Sequence, residues 1–309
     1  MPIFKRRFPI WAMSGNSPII VEINLSLLAA AVLCLMPVIL VIVKIWQDRN
    51  KRRATRQSPF KALRRRPAGE SLRIKIAEFD EQINDRLFLL LAMPIALAVM
   101  MFVLKSLNLY GAITSVAISL IWTLAFKGKL IDLLEQRRNY QLGFDGERFV
   151  GEELSRLIAI GFEIYHDVPF DGFNMDHVLV GKSGVFVVES KTKSKPIDKS
   201  GEKEYEVVFD GKKLLWPWGA DSDDIEQARN NAETLSKWLT NAVGENVEVS
   251  AILTLPGWWV TRKAPHDGVN ILNPEEIIHA FDSKKVKLND DRIRQICHQL
   301  NEKCRIEIK

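Results

Sequence analysis

Residues 176–191 constrain this chain more than any other stretch. They read Asp-His-Val-Leu-Val-Gly-Lys-Ser-Gly-Val-Phe-Val-Val-Glu-Ser-Lys, two short apolar strands around a Lys182-Ser183 turn held between glycines. If Gly181 and Gly184 close that turn as a pair, Asp176 falls directly opposite Glu189. The two then share one face of the hairpin, with Cβ atoms about 5 Å apart. Lys191, two residues further on, projects from the same face. Two carboxylates and a lysine gathered at a strand end are poor core material, because a buried charge needs a partner. They suit a hard divalent cation beside a water nucleophile.

The flanking sequence supplies a scaffold for that hairpin. Gly143-Phe144-Asp145-Gly146-Glu147 is expected to open a helix running to Ile160, with Val150, Leu154, Leu157 and Ile158 as its apolar stripe. Glu147 lies one turn before Val150 on that stripe, whereas Glu152 and Glu153 lie off it and read as solvated. Residues 162–168 form a first strand ended by Pro169. Residues 205–209 and 212–216 flank an Asp210-Gly211 hairpin turn. A helix over 225–239 spaces Ala228, Ala232, Leu235 and Leu239 for packing and puts Gln227 near its start. Strands over 247–255 and 269–272 and helices over 275–281 and 290–303 complete an α/β order, a mixed sheet flanked by helices. Trp216-Pro217-Trp218-Gly219 reads as a core cap before it reads as a base-stacking element. His166, His177 and His279 lack metal-ligand spacing, and His177 faces away from Asp176, so a structural role is expected.

Taken together, these elements resemble the nuclease-related domain family, NERD, of the PD-(D/E)XK restriction-endonuclease-like superfamily. There a Gly-x-x-Gly-Glu helix start precedes an Asp-His hairpin that ends in Gly-Val-Phe-Val-(apolar)-Glu-x-Lys. Here those elements are Gly143 to Glu147, Asp176-His177, and Gly184 to Lys191, followed by a helix carrying Gln227-Ala228-Arg229-Asn230-Asn231-Ala232. Met175 stands where the family pattern has proline before the aspartate. The resemblance spans roughly residues 141–282 and implies a restriction-endonuclease-like mixed sheet. It also implies metal-dependent hydrolysis of nucleic-acid phosphodiester bonds, DNA ahead of RNA. On that reading Asp176, Glu189 and the backbone carbonyl of Ser190 hold Mg²⁺ or Mn²⁺, and Lys191 orients the water or neutralises charge on the phosphate. Glu147 helps place a second ion or the water, and Gln227 steadies the arrangement. The rival is a non-catalytic membrane scaffold that binds nucleic acid or docks proteins. Against it, Asp176, Glu189 and Lys191 are all present.

Charge is unevenly placed along the 309 residues. Residues 1–86 hold 16 lysines and arginines against 7 acids, and the remainder hold 27 against 31. The basic excess therefore lies outside the nuclease-like region. It accompanies three apolar runs, 25–43, 87–104 and 107–126, each about one bilayer long. The last two are separated by Lys105-Ser106 and read as a membrane hairpin. The segment 44–86 is rich in Lys and Arg, the tip between the second and third runs is not, and positive-inside asymmetry puts 44–86 in the cytoplasm. A multi-pass protein of the cell (inner) membrane follows, its N-terminus outside and its C-terminal domain, 143–309, cytoplasmic beyond a helical stalk over 128–142. Lys51-Arg52-Arg53 and Arg64-Arg65-Arg66 read first as contacts for anionic membrane lipid, and as phosphate contacts for nucleic acid near the bilayer in the alternative. Cys34, Cys297 and Cys304 make neither a disulfide framework nor a zinc site and read as reduced thiols.

Overall fold

The computed structural model describes residues 65–103, 109–196, 205–264, 268–281 and 286–305, with Val43, Lys44, Gln47 and Lys51. The first expected span lies outside the described residues except for Val43. Two compact units are formed, residues 1–61 with 81–134 and residues 62–80 with 135–309.

The first unit is built on parts of two long helices, α1 (Glu70–Val103) and α2 (Leu109–Ser155). Each carries an 18-residue window apolar enough to cross a membrane, and nothing in either window is buried within the protein. Phe88 is 71% exposed and Val116 68%. The helices touch through the Ser115 hydroxyl, 2.7 Å from Met101 Sδ, and through Trp122 Nε1, which donates to the Leu89 carbonyl at 3.2 Å. The described parts of apolar runs two and three, 87–103 and 109–126, are thus segments of longer helices. The expected stalk and the helix expected to begin at Gly143 are one uninterrupted element with run three. Only at Ser155 does α2 tighten into a 3₁₀ turn, Arg156–Ile160, ended by Gly161 in the left-handed region.

In the second unit a five-stranded sheet carries the hairpin. In spatial order its members are β1 (Glu163–Phe170), β2 (Phe173–Gly181), β3 (Gly184–Ser190), β7 (Val249–Thr254) and β9 (Val269–Leu272). The first three are antiparallel, and β7 and β9 run parallel to β3. A second, four-stranded sheet joins β4 (Glu206–Phe209), β5 (Leu214–Trp216), β6 (Gly219–Asp221) and β8 (Trp259–Arg262) in the order β6-β5-β4-β8; the hairpin expected around Asp210-Gly211 is its β4–β5 pair, whereas β6 and β8 were not expected. Trp216-Pro217-Trp218-Gly219 is the turn between β5 and β6, with Trp216 paired to Gly219. Helices α3 (Asp223–Val243), α4 (Ile277–Phe281) and α5 (Asp290–Lys303) complete the unit.

Two apolar clusters cover the faces of the larger sheet. One joins Val178, Val180, Val185 and Val187 to Ala228, Leu235 and Leu239 of α3 and to Ile296 and Leu300 of α5. The other joins Leu179, Phe186, Val188 and Ile252 to Val150 and Leu154 of α2. Alternation along β2 and β3 sends successive side chains to opposite clusters, as a strand covered on both faces requires. Ile158, expected on the buried stripe, is 61% exposed because the 3₁₀ turn rotates it outward. Pro169 does not end β1, which continues to Phe170. The distortion falls instead at Asp167, in the left-handed region at φ 49° and missing from the β1–β2 pairing.

Close packing explains Gly146, which sits within α2 and opens nothing. A Cβ there would lie 1.7 Å from Thr192 Oγ1 and 2.8 Å from Thr192 Cβ. Gly146→Ala should therefore lower stability by about 1–3 kcal/mol through overpacking, read as a drop in thermal midpoint. An unchanged midpoint would mean that Thr192 swings aside freely.

Part of the expected lipid-binding segment belongs to this unit. Arg65 Nη1 lies 2.7 Å from Glu163, Arg65 Nε donates to Asn301, and the guanidinium stands 4.7 Å above the Tyr165 ring. Arg66 pairs with the buried Asp167 at 3.1 Å, and the Ser71 backbone N–H donates to the same carboxylate oxygen. Arg65 and Arg66 thus fasten the chain to β1, because acids on that strand meet them. Arg52, Arg53 and Arg64 lie outside the described residues.

Candidate functional site

The hairpin register is the one the paired glycines imply. Gly181 opposes Gly184, and pairing continues to His177 opposite Val188, one step short of Asp176 and Glu189. Parallel pairing of β3 with β7 sets Glu189 beside Leu253 and Ser190 beside Thr254. The Thr254 hydroxyl donates to the Glu189 carbonyl at 3.2 Å, and the Lys191 backbone N–H donates to the Thr254 carbonyl at 2.9 Å. The strand end carrying the Glu-x-Lys pair is therefore held on both sides.

Four of the five expected residues are joined by hydrogen bonds, directly or through Ser190. Glu189 Oε1 accepts from Gln227 Nε2 at 2.6 Å and stands 3.1 Å from Lys191 Nζ. Lys191 Nζ in turn donates to Gln227 Oε1 at 2.9 Å, closing a three-membered ring of contacts. Asp176 Oδ2 accepts from both the backbone N–H and the hydroxyl of Ser190, at 2.8 and 2.7 Å. Glu147, the fifth, is buried from α2 and makes no hydrogen bond or ion pair among the described residues. Its link to the others is electrostatic.

The sequence reading missed two partners. Asn231 Nδ2 donates to Glu189 Oε2 at 2.8 Å. It lies one helical turn beyond Gln227, so i,i+4 spacing on α3 could have found it. The second is the Ser190 hydroxyl, which no local pattern directs toward Asp176. His166 and His177, read as scattered, oppose each other across β1 and β2 with Nδ1 atoms 2.8 Å apart. Burial holds both imidazoles well below their usual pKa, so this is a neutral structural pair on the face away from Asp176.

Burial, and after it mutual repulsion, destabilises the carboxylates as anions. Burial and then the charge of Asp176 push Glu147 up to about 9. Burial and then Asp176 push Glu189 up to about 8, despite Lys191 and Asn231. Burial also raises Asp176 against the pull of its Ser190 bonds. The Lys191 ammonium, opposed by burial, is held above its ordinary value by Glu189 and Asp176. Acids this destabilised as anions suit a cation donor set of oxygen ligands. No three His, Cys, Asp or Glu side chains among the described residues already stand at mutual ligating distance. A two-carboxylate set leaves coordination to be completed by water, which Mg²⁺ retains readily.

The sign of the pH dependence follows. Carboxylates with raised folded-state pKa bind more protons folded than unfolded between their ordinary values and about 8–9. Their contribution to stability without metal is therefore fully present at low pH and lost as pH rises through that window. Melting in EDTA should show a midpoint decreasing from about pH 7 to pH 8.5, above the range in which the buried neutral His166 and His177 oppose the trend, with Glu147→Gln flattening the decline. A midpoint that rises over this range would contradict it.

Residues 142–256 match the family described as nuclease-related domain, NERD. No curated protein matches the chain. Among solved structures the chain is similar to Pyrococcus furiosus SfsA in complex with Ca²⁺, at 14% identity and a TM-score of 0.21. That likeness covers 41% of this chain and 54% of the other, so the chain spans about half the length of that relative.

Proposed function

We propose, with the nuclease-related domain at residues 142–256 as the premise, that this protein is a membrane-tethered, metal-dependent nuclease. The observation that carries the reading is the ring joining Glu189, Lys191 and Gln227, set beside Asp176 on the neighbouring strand. Asp176, Glu189 and the Ser190 carbonyl would hold Mg²⁺ or Mn²⁺, with Glu147 near enough to share charge with them. The ion would supply Lewis-acid polarisation of a phosphate and an acidified water. Lys191 offers a compact positive charge where negative charge grows on a phosphate. Gln227 and Asn231 occupy both Glu189 oxygens and fix its rotamer, which leaves the carboxylate preorganised. DNA ranks ahead of RNA as substrate on the family resemblance.

Purified full-length protein in detergent should hydrolyse DNA or RNA with Mg²⁺ or Mn²⁺ and stop in EDTA. Absence of hydrolysis on single- and double-stranded substrates of both kinds would sink the enzyme reading. A second reading, nucleic-acid binding without cleavage, is favoured by one observation: no three acidic or histidine ligands are pre-gathered among the described residues.

The tether rests on the two unburied apolar windows of α1 and α2 and on the basic excess of residues 44–86. With positive-inside orientation, a reporter fused after Lys309 should be active only as a cytoplasmic fusion, and one near Ser106 only outside. A reversed pattern would overturn the topology.

A further inference from the structure

Beyond Ser190 the chain carries a lysine at every second position: Lys191, Lys193 and Lys195. The segment is pinned at Lys191 by Thr254, and the Lys193 carbonyl accepts from Trp258 Nε1 at 3.0 Å. Lys191 serves the carboxylates. Lys193 is neutralised by Asp221 at 2.7 Å and Asp224 at 2.9 Å. Lys195 has no acidic partner among the described residues; its ammonium lies over aromatic rings, 5.3 Å from Tyr205 and 5.9 Å from Trp258.

Beside this segment stand three tryptophans from the second sheet and its connections. Trp216 and Trp258 are buried, whereas Trp218 is 54% exposed. Trp218 is stacked on Trp216 with centroids 5.4 Å apart and planes 13° apart, and it meets Trp258 edge-on at 5.5 Å. One ring face is thus braced by a rigid aromatic neighbour. Trp218 also lines a cavity of about 500 Å³ with Leu142, Thr192, Lys193, Lys195 and Pro196. That size falls within the range of pockets for small organic groups, about 300–1,000 Å³. Lys195 also borders an adjoining cavity of about 300 Å³ lined by Trp258 and the exposed Trp259.

We propose that Trp218 is a stacking platform for an unpaired base of single-stranded nucleic acid, with Lys195 contacting the adjacent phosphate, so that the site selects single strands. This rests on the phosphodiesterase reading above. Three observations support it. A braced, half-exposed indole beside an uncompensated ammonium is the combination that sequence-tolerant single-strand binding uses. Only an unpaired base offers a free ring face, because duplex bases are covered by their neighbours. The cavity also follows Lys191 directly along the chain, since Thr192 and Lys193 line it.

Full-length Lys191→Ala protein in detergent separates binding from cleavage. Titrated into fluorescein-labelled 12-nucleotide oligo(dT), oligo(U) and a 12-base-pair duplex, it should bind the single strands more tightly and quench tryptophan emission. Adding Trp218→Ala should weaken single-strand binding about 5- to 100-fold, abolish most of the quench and leave duplex binding unchanged. Trp218→Phe should recover most of the affinity. Lys195→Ala should reduce the slope of log affinity against log salt by about 0.7, one phosphate contact. Single-strand affinity unaltered by Trp218→Ala, or a preference for duplex, would overturn the inference even where the wild-type protein cleaves nucleic acid. A wild-type protein that neither binds nor cleaves any of these substrates would overturn both this inference and the nuclease reading.

Discussion

Lys191→Ala should reduce phosphodiester hydrolysis by roughly 100-fold or more, with a lower thermal midpoint as well, because the buried Glu189 loses its cationic partner. The ammonium lies 3.1 Å from Glu189 and 2.9 Å from Gln227, and a quarter of the side chain remains exposed. It is held in place yet open on one side. A preorganised charge acting where negative charge develops is worth about 3–4 kcal/mol in the transition state. Lys191→Arg should restore little, because a planar fork cannot take the place of a compact ammonium in contact with both partners. The control must be chosen with care. Lys193 is unsuitable, since its removal unpairs the buried Asp224 as well as Asp221. Lys182, exposed in the β2–β3 turn and paired loosely with Asp290 at 3.5 Å, is the neutral comparison. Lys182→Ala should cleave like wild type. Equal activity in Lys191→Ala and Lys182→Ala would show that the chemistry lies elsewhere.

Asp176→Asn should lower Mg²⁺ or Mn²⁺ affinity at least about 10-fold. It would remove one of two carboxylates from the proposed donor set and keep an amide oxygen for Ser190. Asparagine is preferable to alanine here for a reason that only the geometry supplies. Asp176 Oδ2 accepts two hydrogen bonds from Ser190, and alanine would strand the Ser190 N–H at a cost of about 1–3 kcal/mol. That loss would mask the relief of repulsion with Glu147 and Glu189. With asparagine the relief should be visible as a midpoint in EDTA equal to or above wild type at pH 8. Calorimetric titration with Mn²⁺ reads the affinity directly. Binding indistinguishable from wild type would displace Asp176 from the site.

Alternation and turn chemistry carried much of this protein in the sequence itself. Glycines at 181 and 184 flank a two-residue turn, and that local constraint alone sets the register, which runs to His177 opposite Val188 and leaves Asp176 and Glu189 at the next step. The periodicity of 225–239 likewise placed Gln227 on α3 ahead of the buried Ala228, Ala232, Leu235 and Leu239. The length and apolarity of 87–104 and 107–126 marked two helices with no buried window. These features are local, and local patterns suffice for them.

Only the tertiary structure decided what distant segments do to one another. Gly143 and Gly146 looked like a helix opening, because glycine ordinarily breaks helices. Instead α2 passes through both, and Gly146 is required by Thr192, nearly fifty positions away. Arg65 and Arg66 looked like lipid ligands until Glu163 and Asp167 met them across about a hundred residues. Asn231 met Glu189 only once α3 lay against the end of β3, and the Trp218 ring was braced only once Trp216 and Trp258 packed against it. A periodicity can say which way a side chain points along its own element. Which group it meets there depends on chain segments whose approach no local pattern encodes.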